Sequence, residues 1–399
     1  MIYKQFKDLQ LSWLGMGAMR LPATQEGYDS PIDHDKAMEL IEYAYEHGIN
    51  YYDTAYFYHR GESERFIGKA LARFPRDSWY LASKMPGGMM QIIDGKIEVG
   101  GSNMDTIVFS GPTDLFEFQL KRCGVDYFDF YLLHNVSESR FGVYTNEKLN
   151  IIGSLIEQKK KGRIRHLGFS SHGRADTIVN FLEYLDSRYC NAFEFAMIQL
   201  NYLDWTLQDA GKKYDVITKH GLPVFVMEPM RGGKLANLGA NADAILKAAR
   251  PADSQAAWAF RYLQSLDKIP VILSGMNSME QLKENLSLFD KHDPMTQTEA
   301  ALLQKVVENI AELVPCTACR YCIEACPRRL DIPMLMTMYN EAGVEMSWFL
   351  NDALETLKES EKPAACASCG NCNQLCPQGI DIPQAIKKFN ELINSQHTH

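Results

Sequence analysis

From about residue 10 to residue 290 the chain alternates short apolar runs with amphipathic stretches. Eight runs stand out: Ser12–Met16, Asn50–Asp53, Trp79–Ser83, Phe128–Leu133, His166–Ser170, Phe195–Leu200, Pro223–Met227 and Pro270–Leu273. Such runs suit strands buried on both faces, as in a parallel sheet. The stretches between them read as helices. Over Asp35–His47, Ala37, Leu40, Ile41, Ala44 and Tyr45 fall on one face, with Asp33 as N-cap and Gly48 as the stop. Eight strand–helix units within about 280 residues predict a (β/α)8 TIM barrel. A doubly wound sheet is the alternative, but no G-x-G-x-x-G follows an N-terminal strand.

Three stretches depart from the alternation. Met85 to Pro112 carries Gly87, Gly88, Gly95, Gly100, Gly101 and Gly111 and reads as a long functional loop. The basic run Lys159–Arg165 reads as a helix end, where cations favour the macrodipole and Gly162 closes the turn. From Asp293 to Val314 the pattern is helical again and links the barrel to a cysteine-rich region. The chain therefore divides into a barrel over 1–290 and a helical linker plus a second domain over 291–399.

That second domain writes one pattern twice. Cys316-x-x-Cys319-x-x-Cys322-x-x-x-Cys326-Pro327 is followed by Cys366-x-x-Cys369-x-x-Cys372-x-x-x-Cys376-Pro377. This is the bacterial ferredoxin spacing, in which three cysteines of a run hold one [4Fe–4S] cluster and the fourth serves the other cluster. Two clusters are expected, one on Cys316, Cys319, Cys322 and Cys376, the other on Cys366, Cys369, Cys372 and Cys326. Zinc sites would show isolated C-x-x-C pairs instead. The long step from Cys326 to Cys366 contains Pro333–Lys358, which reads as one or two helices. The module is thus expected to be a mainly helical ferredoxin-like domain. Cys123 and Cys190 stand apart and read as small buried hydrophobes.

Charge and termini narrow the function. A net charge of −9 argues against nucleic acid. No apolar run reaches membrane-spanning length, and the N-terminus Met1–Lys7 has no signal-peptide core. Ten cysteines without an export signal suit reduced thiolates in the cytoplasm.

Three polar residues close successive apolar runs: Asp53, Lys84 and His134. In a barrel they converge at the C-terminal face, where active sites lie. Tyr58 follows Asp53 closely. These residues and their surroundings resemble the aldo-keto reductases. The matching text is Gly48-Ile-Asn-Tyr-Tyr-Asp53-Thr-Ala-x-x-Tyr58, Gly61-Glu-Ser-Glu64 with Gly68, Ser83-Lys84, Leu132-Leu-His134, Gly168-Phe-Ser-Ser171, Gln199-Leu-Asn-Tyr202 and Glu284-Asn-Leu286. The resemblance spans about residues 10–290, and the tail resembles the branch with a ferredoxin-like extension.

The resemblance implies an NAD(P)-dependent oxidoreductase that interconverts a carbonyl and an alcohol. It implies a catalytic tetrad of Asp53, Tyr58, Lys84 and His134. Tyr58 would be the general acid, its pKa lowered by Lys84; Asp53 would orient Lys84, and His134 would polarise the carbonyl. For NAD(H) or NADP(H) it implies Ser170, Ser171 and Gln199 around the carboxamide and Met230, Arg231, Gly232, Gly233 and Lys234 around the pyrophosphate. Ser274, Gly275 and Met276, with Gln281, Glu284 and Asn285, would take the adenosine side. Met227 stands where the family usually has a stacking Tyr. Gly275, Met276 and Gln281 stand where members that prefer NADPH carry Lys or Arg, so NADH is at least as well suited. Phe57 and Trp205 are candidate pocket walls. The expected partners are a small carbonyl or alcohol substrate and an electron-transfer protein, with the two clusters serving either electron transfer or structure. The alternative reading is a nucleotide-binding redox sensor or electron-transfer protein with little carbonyl turnover.

Overall fold

The computed structural model describes residues 1–25, 30–93, 95–101, 104–310, 314, 316 and 319–396. It divides into two compact units that are not contiguous in sequence. The first comprises Met1–Asn201, Lys212–Asn237 and Ala252–Thr296; the second comprises Tyr202–Gly211, Leu238–Pro251 and Gln297–His399.

The first unit is a closed barrel of eight parallel strands. They are β1 (Leu14–Gly17), β2 (Tyr51–Asp53), β3 (Tyr80–Met85), β4 (Phe128–Leu133), β5 (Ile164–Ser171), β6 (Phe195–Gln199), β7 (Val224–Met227) and β8 (Ile272–Ser274). All eight expected runs are strands of this barrel. Every residue of β2, β4 and β6 is buried, which is why these segments carry no alternation. The interior is filled by Tyr51, Ala82, Phe130, Phe195, Met197, Phe225 and Leu273. An N-terminal hairpin, Tyr3–Phe6 with Leu9–Ser12, delivers Phe6 into this core. Its ring meets those of Phe130 and Phe225 at 5.5 and 5.4 Å. Burying that side chain contributes about 2 kcal/mol.

The helices follow their patterns. His34–Glu46 buries Ala37, Leu40, Ile41 and Ala44, and the Asp33 side chain accepts a hydrogen bond from Lys36 N. Glu62–Leu71 and Pro112–Cys123 approach closely at Gly68, where a Cβ would lie 1.8 Å from the Cys123 carbonyl oxygen. The basic run does end a helix, Ile151–Lys160, with Gly162 in the left-handed region.

Two expectations change. The segment after β3 is not a structureless loop. It forms a three-stranded antiparallel sheet of Met90–Ile93, Lys96–Gly101 and Met104–Phe109, with Asp94, Ser102 and Asn103 outside the described residues. Ile97 and Val99 turn inward while Glu98 turns out, so one face of the sheet is buried. Cys190 is exposed at the end of helix Ala175–Tyr189, because the chain leaves the helix there before β6; Cys123 is buried as expected.

In the second unit the α-helices among the described residues are Asp204–Leu207, Ala240–Ala249, Gln297–Ile310, Tyr321–Ala325, Ile332–Val344, Trp348–Glu355 and Ile382–Gln396. The linker helix is therefore present to Ile310, and residues 311–313 lie outside the described residues. The unit is an internal repeat with a shift of 50 residues. Asp331-Ile332-Pro333 and Asp381-Ile382-Pro383 each open a helix, with the aspartate accepting from Met334 N at 3.2 Å and from Gln384 N at 3.3 Å. Left-handed backbone recurs at matched positions, with φ 69° at Arg320 and 77° at Gly370, then 53° at Arg329 and 65° at Gly379. The apolar core joins Leu330, Ile332, Leu335, Met336, Ile382 and Phe389. Within this unit Glu341 is buried and accepts from Gln208 Nε2 at 2.9 Å and Ser347 Oγ at 3.1 Å, fixing the segment after β6. No helix of the described residues is long and apolar enough to cross a membrane.

Candidate active site and cluster sites

β2, β3 and β4 bring Asp53, Lys84 and His134 to one end of the barrel. Register pairs Asp53 with Ala82 and Lys84 with Leu132, so Lys84 lies between the other two strand ends. Its ammonium is buried. Nζ donates to Asp53 Oδ1 at 2.5 Å, to the Thr54 carbonyl oxygen at 2.8 Å and to Tyr58 Oη at 3.4 Å. Three acceptors therefore fix three protons of the ammonium. Tyr58 is carried on a turn in which His59, Arg60 and Gly61 all have positive φ. That unusual run lets the chain reverse between β2 and the helix at Glu62.

The electrostatics follow burial. Desolvation lowers the Lys84 pKa and raises that of Asp53, and each partner's charge opposes the other's shift. Burial also holds Tyr58 well above its ordinary value, and the carboxylates of Asp53 and Glu228 push further in the same direction. The sequence-based expectation that Lys84 draws this pKa down is thus not met in the protein alone: Asp53 already offsets the Lys84 charge. His134 is held well below its ordinary value by burial, then by Lys84, His172 and Arg140, so its imidazole is neutral. Its ring stacks on Phe57, with centroids 4.9 Å apart, and meets the Tyr58 ring edge-on at 6.0 Å. Nδ1 of His134 is buried without a hydrogen-bond partner.

Beside this cluster a cleft of about 240 Å³ opens. Asp53 and Tyr58 form part of its wall, together with Met227 and Met230, Gly232 and Gly233, Ser274 and Gly275, and Gln281, Glu284 and Asn285. Nine of the sequence-nominated cofactor residues thus share one cavity with two of the catalytic candidates. Gly232 and Gly233 hold φ 66° and 98°, a turn that leaves the backbone bare toward the cleft. Asn285 Nδ2 donates to Ser274 Oγ at 3.1 Å, which ties the helix Met279–Leu288 to β8.

Other nominees lie outside that lining. Arg231 and Met276 are buried, and Lys234 is exposed. Ser170, Ser171 and Gln199 are buried behind the mouth. Ser171 Oγ donates to the Val136 carbonyl oxygen at 2.6 Å, and Ser170 Oγ accepts from Asn135 N at 2.9 Å. Both hydroxyls therefore hold the chain that carries His134. Gln199 is hydrogen-bonded to His172, whose pKa burial lowers to about 3.

Among the residues of the site not nominated from the sequence, three bear on its chemistry. Arg20, after β1, arches over the cleft: a Cβ on Gly232 would lie 3.1 Å from its Nη2. Glu228 (φ 54°) accepts from Gly232 N at 2.5 Å and faces Arg20 at 4.0 Å. Asn135 (φ 58°) is buried; its Oδ1 accepts from His172 N at 3.0 Å, which fixes the amide orientation. Its Nδ2 is left without a partner. An asparagine immediately after a strand-end histidine was the available signal.

The cysteines gather in two pockets of the second unit. One is lined by Cys316, Cys319, Cys322 and Cys376, the other by Cys326, Cys366, Cys369 and Cys372. Each pocket takes three cysteines from one run and the fourth from the other. Ile332 lines both. Among the described residues no three His, Cys, Asp or Glu side chains converge as a single metal ion would need. Each set of four surrounds a space rather than a point. Burial pushes the Cys322 thiol up to about 11 and raises Cys372 as well, so these sulfurs ionise against metal charge rather than in its absence.

Comparison with known proteins agrees with this geometry. Residues 13–308 match the Aldo/keto reductase family and residues 315–381 match a 4Fe-4S dicluster domain. The chain is similar to a probable aldo-keto reductase 1 of Glycine max, 30% identical over 43% of this chain and 44% of that protein. It is 24% identical to the NADH-specific methylglyoxal reductase of Escherichia coli over 75% of this chain and 96% of that one. The solved aldo-keto reductase AKR11C1 of Bacillus halodurans, in its holo form, superposes with a TM-score of 0.59 and 26% identity, covering 77% of this chain and 96% of that chain. An aldo-keto reductase of Klebsiella pneumoniae in complex with NADPH shares the fold, with a TM-score of 0.57, 16% identity and the same coverage. The chain belongs to the aldo-keto reductase family and carries a C-terminal 4Fe-4S dicluster domain.

Proposed function

We propose that the barrel interconverts a carbonyl and an alcohol with a nicotinamide nucleotide. The observation that carries this is Lys84, which bridges Asp53 and Tyr58 at the wall of a cleft that the Gly232–Gly233 turn leaves open. The cleft suits a dinucleotide: bare backbone at Gly232–Gly233 allows a pyrophosphate to approach, and Arg20 offers a cation across it. Gly232 N and Arg20, which Glu228 engages in the protein alone, would be the donors that hold a phosphate. The adenosine-side residues Gly275, Gln281 and Glu284 are uncharged or acidic, which favours NADH over NADPH. The relative named as NADH-specific supports the same choice.

When bound, the nicotinamide supplies the hydride; the protein manages the proton. Negative charge builds on the carbonyl oxygen as the hydride arrives. Tyr58 donates its proton there, and Lys84 Nζ, 3.4 Å from the phenol oxygen, stabilises the phenolate left behind. The raised pKa of Tyr58 keeps it protonated through neutral pH, as an acid requires. Asp53 keeps Lys84 charged and aimed. Neutral His134 presents an N–H to the same oxygen, a donor with no charge of its own to move. Nδ2 of Asn135 is the free donor beside Ser170 and Ser171, and we assign it to the nicotinamide carboxamide. Met227, in the cleft wall, would offer the ring an apolar surface.

The eight thiols and the apolar walls of their pockets suit two [4Fe–4S] clusters, with Cys326 and Cys376 exchanged between runs. Such clusters would supply single-electron chemistry or hold the module together. Tyr58→Phe tests the barrel reading: carbonyl reduction is lost while the Kd for NADH is kept. Wild-type turnover by that variant contradicts it.

A further inference from the structure

The Tyr58 hydroxyl is delivered by a turn of unusual backbone. His59, Arg60 and Gly61 follow it with φ 49°, 55° and 84°. That conformation is disfavoured for His59 and Arg60, which carry a Cβ. One side chain clamps the turn. Arg122, in the last turn of the helix Pro112–Cys123, reaches across it, and its Nη2 donates to the Tyr56 carbonyl oxygen at 3.1 Å and to the Gly61 carbonyl oxygen. These two carbonyls bracket Tyr58. Gly61 is what admits the guanidinium: a Cβ there would lie 2.2 Å from Nη2. The Arg122 side chain is almost wholly buried and lies over the rings of Tyr56 and Phe118 at 4.7 and 5.3 Å.

Glu64, buried on the helix Glu62–Leu71, meets the Arg122 charge. Its Oε2 stands 3.2 Å from Arg122 Nε, and neither atom makes a hydrogen bond, so the contact is coulombic. Its Oε1 accepts from Ser83 Oγ at 2.6 Å and from Gln119 Nε2 at 2.7 Å. Gln119 Nε2 also donates to the Lys84 carbonyl oxygen at 3.0 Å, and Tyr131 Oη fixes the amide by donating to Gln119 Oε1 at 2.5 Å. One carboxylate thus anchors the Tyr58 turn through Arg122 and the Lys84 strand through Ser83 and Gln119. Its charge reaches the ammonium as well: burial lowers the Lys84 pKa, and Asp53 and then Glu64 hold it up. A buried ion pair is weak grounds for stability, because apolar side chains of similar volume often serve as well. Apolar side chains could not bind the two carbonyls on either side of Tyr58, as this guanidinium does.

We propose that Arg122 is a positioning residue for the barrel's reaction: by clamping the Tyr56 and Gly61 carbonyls it sets the Tyr58 hydroxyl against Lys84, with Glu64 as its counterion. Arg122 lies outside the lining of the cleft and acts only through the turn. Without the clamp the turn relaxes toward ordinary backbone, and the 3.4 Å contact between Lys84 Nζ and Tyr58 Oη is lost. Proton delivery then fails, while the Gly232–Gly233 turn that faces the nucleotide is untouched. The inference rests on the reading of Tyr58 as the proton donor.

Full-length protein, kept anaerobic with its clusters loaded, is assayed with NADH and the panel aldehyde that the wild type reduces fastest. Arg122→Met removes the clamp. Arg122→Met with Glu64→Gln removes both charges and spares the fold an unpaired buried carboxylate. Each variant should lose about tenfold or more in kcat, since a small misplacement of a reacting group suffices. The Kd for NADH and the KM for the aldehyde should stay within about twofold of wild type. The discriminating comparison is made in Tyr58→Phe, where the clamp has no hydroxyl left to place. Single-turnover NADH oxidation at high protein concentration measures the residual rate there, and adding Arg122→Met should change it by less than about twofold. A residue that only supports the fold would lower the rate in both backgrounds alike. Wild-type kcat in either folded clamp variant overturns the proposal, as does a loss of the same size in the Tyr58→Phe background. Wild-type turnover by Tyr58→Phe itself overturns the proton-donor reading, a result distinct from these.

Discussion

Asp53→Asn isolates the buried pair on which the site is built. In the wild type Lys84 Nζ is almost fully buried and Asp53 is the carboxylate in contact with it, at 2.5 Å. The amide keeps the shape and removes the charge. A charged Lys84 would then lack its partner, a loss typically of about 3–5 kcal/mol for a buried pair. Lysine has an escape: it can fold neutral. Releasing its proton at pH 7 costs about 1.4 kcal/mol for each unit below an unfolded pKa near 10.4, which caps the penalty at about 4.6 kcal/mol. The wild-type Lys84 pKa is already lowered by burial and held up by Asp53, so the variant lies on the discharging side. The unfolded variant then binds a proton that the folded one does not, and its stability rises with pH until about pH 10. Urea unfolding followed by tryptophan fluorescence at pH 7 and 9 measures this. The gap to wild type should be about 3–5 kcal/mol at pH 7 and shrink by about 2.7 kcal/mol at pH 9. A gap below about 1 kcal/mol, or one that does not narrow with pH, refutes the assignment of Lys84 as a buried cation held by Asp53.

Asn135→Asp retains the acceptor for His172 N and the tolerance for positive φ but replaces the free donor with an anion. NADH should bind at least tenfold more weakly, about 1.4 kcal/mol, while ADP-ribose, which lacks the ring, binds unchanged; equal weakening of both ligands would show a collapsed loop instead. For the clusters, Cys326→Ser and Cys366→Ser should perturb the same EPR species, and Cys376→Ser and Cys316→Ser the other. Grouping of Cys326 with Cys316 would contradict the exchanged arrangement of the pockets.

The barrel was legible because its strands are buried on both faces and carry uninterrupted apolar runs, such as Phe128–Leu133. The tetrad candidates were legible because strand ends in a barrel converge whatever lies between them in sequence. The sheet over Met90–Phe109 was obscured by Gly95, Gly100 and Gly101, although Asp94-Gly95 between apolar runs is itself a hairpin signal. The roles of Ser170 and Ser171 could not be read from sequence, since their hydroxyls are committed to backbone that only the fold brings near. The direction of the Tyr58 shift was missed for a similar reason. Counting Lys84 as a neighbour ignores that burial raises this pKa and that the Asp53 charge adds to the rise. Arg20 gave no signal, because its approach to Gly232 joins β1 to the turn after β7 across the barrel mouth.

The proposed chemistry stands on Tyr58, held by Lys84 and Asp53, giving the proton in a hydride transfer. Anaerobic turnover of an aldehyde and ketone panel with NADH, comparing wild type with Tyr58→Phe, is the decisive assay. Wild type should reduce members of the panel measurably. The variant should lose at least a hundredfold in kcat/KM with the Kd for NADH unchanged, about 2.7 kcal/mol of transition-state stabilisation. Equal turnover by the two proteins would rule out Tyr58 as the proton donor.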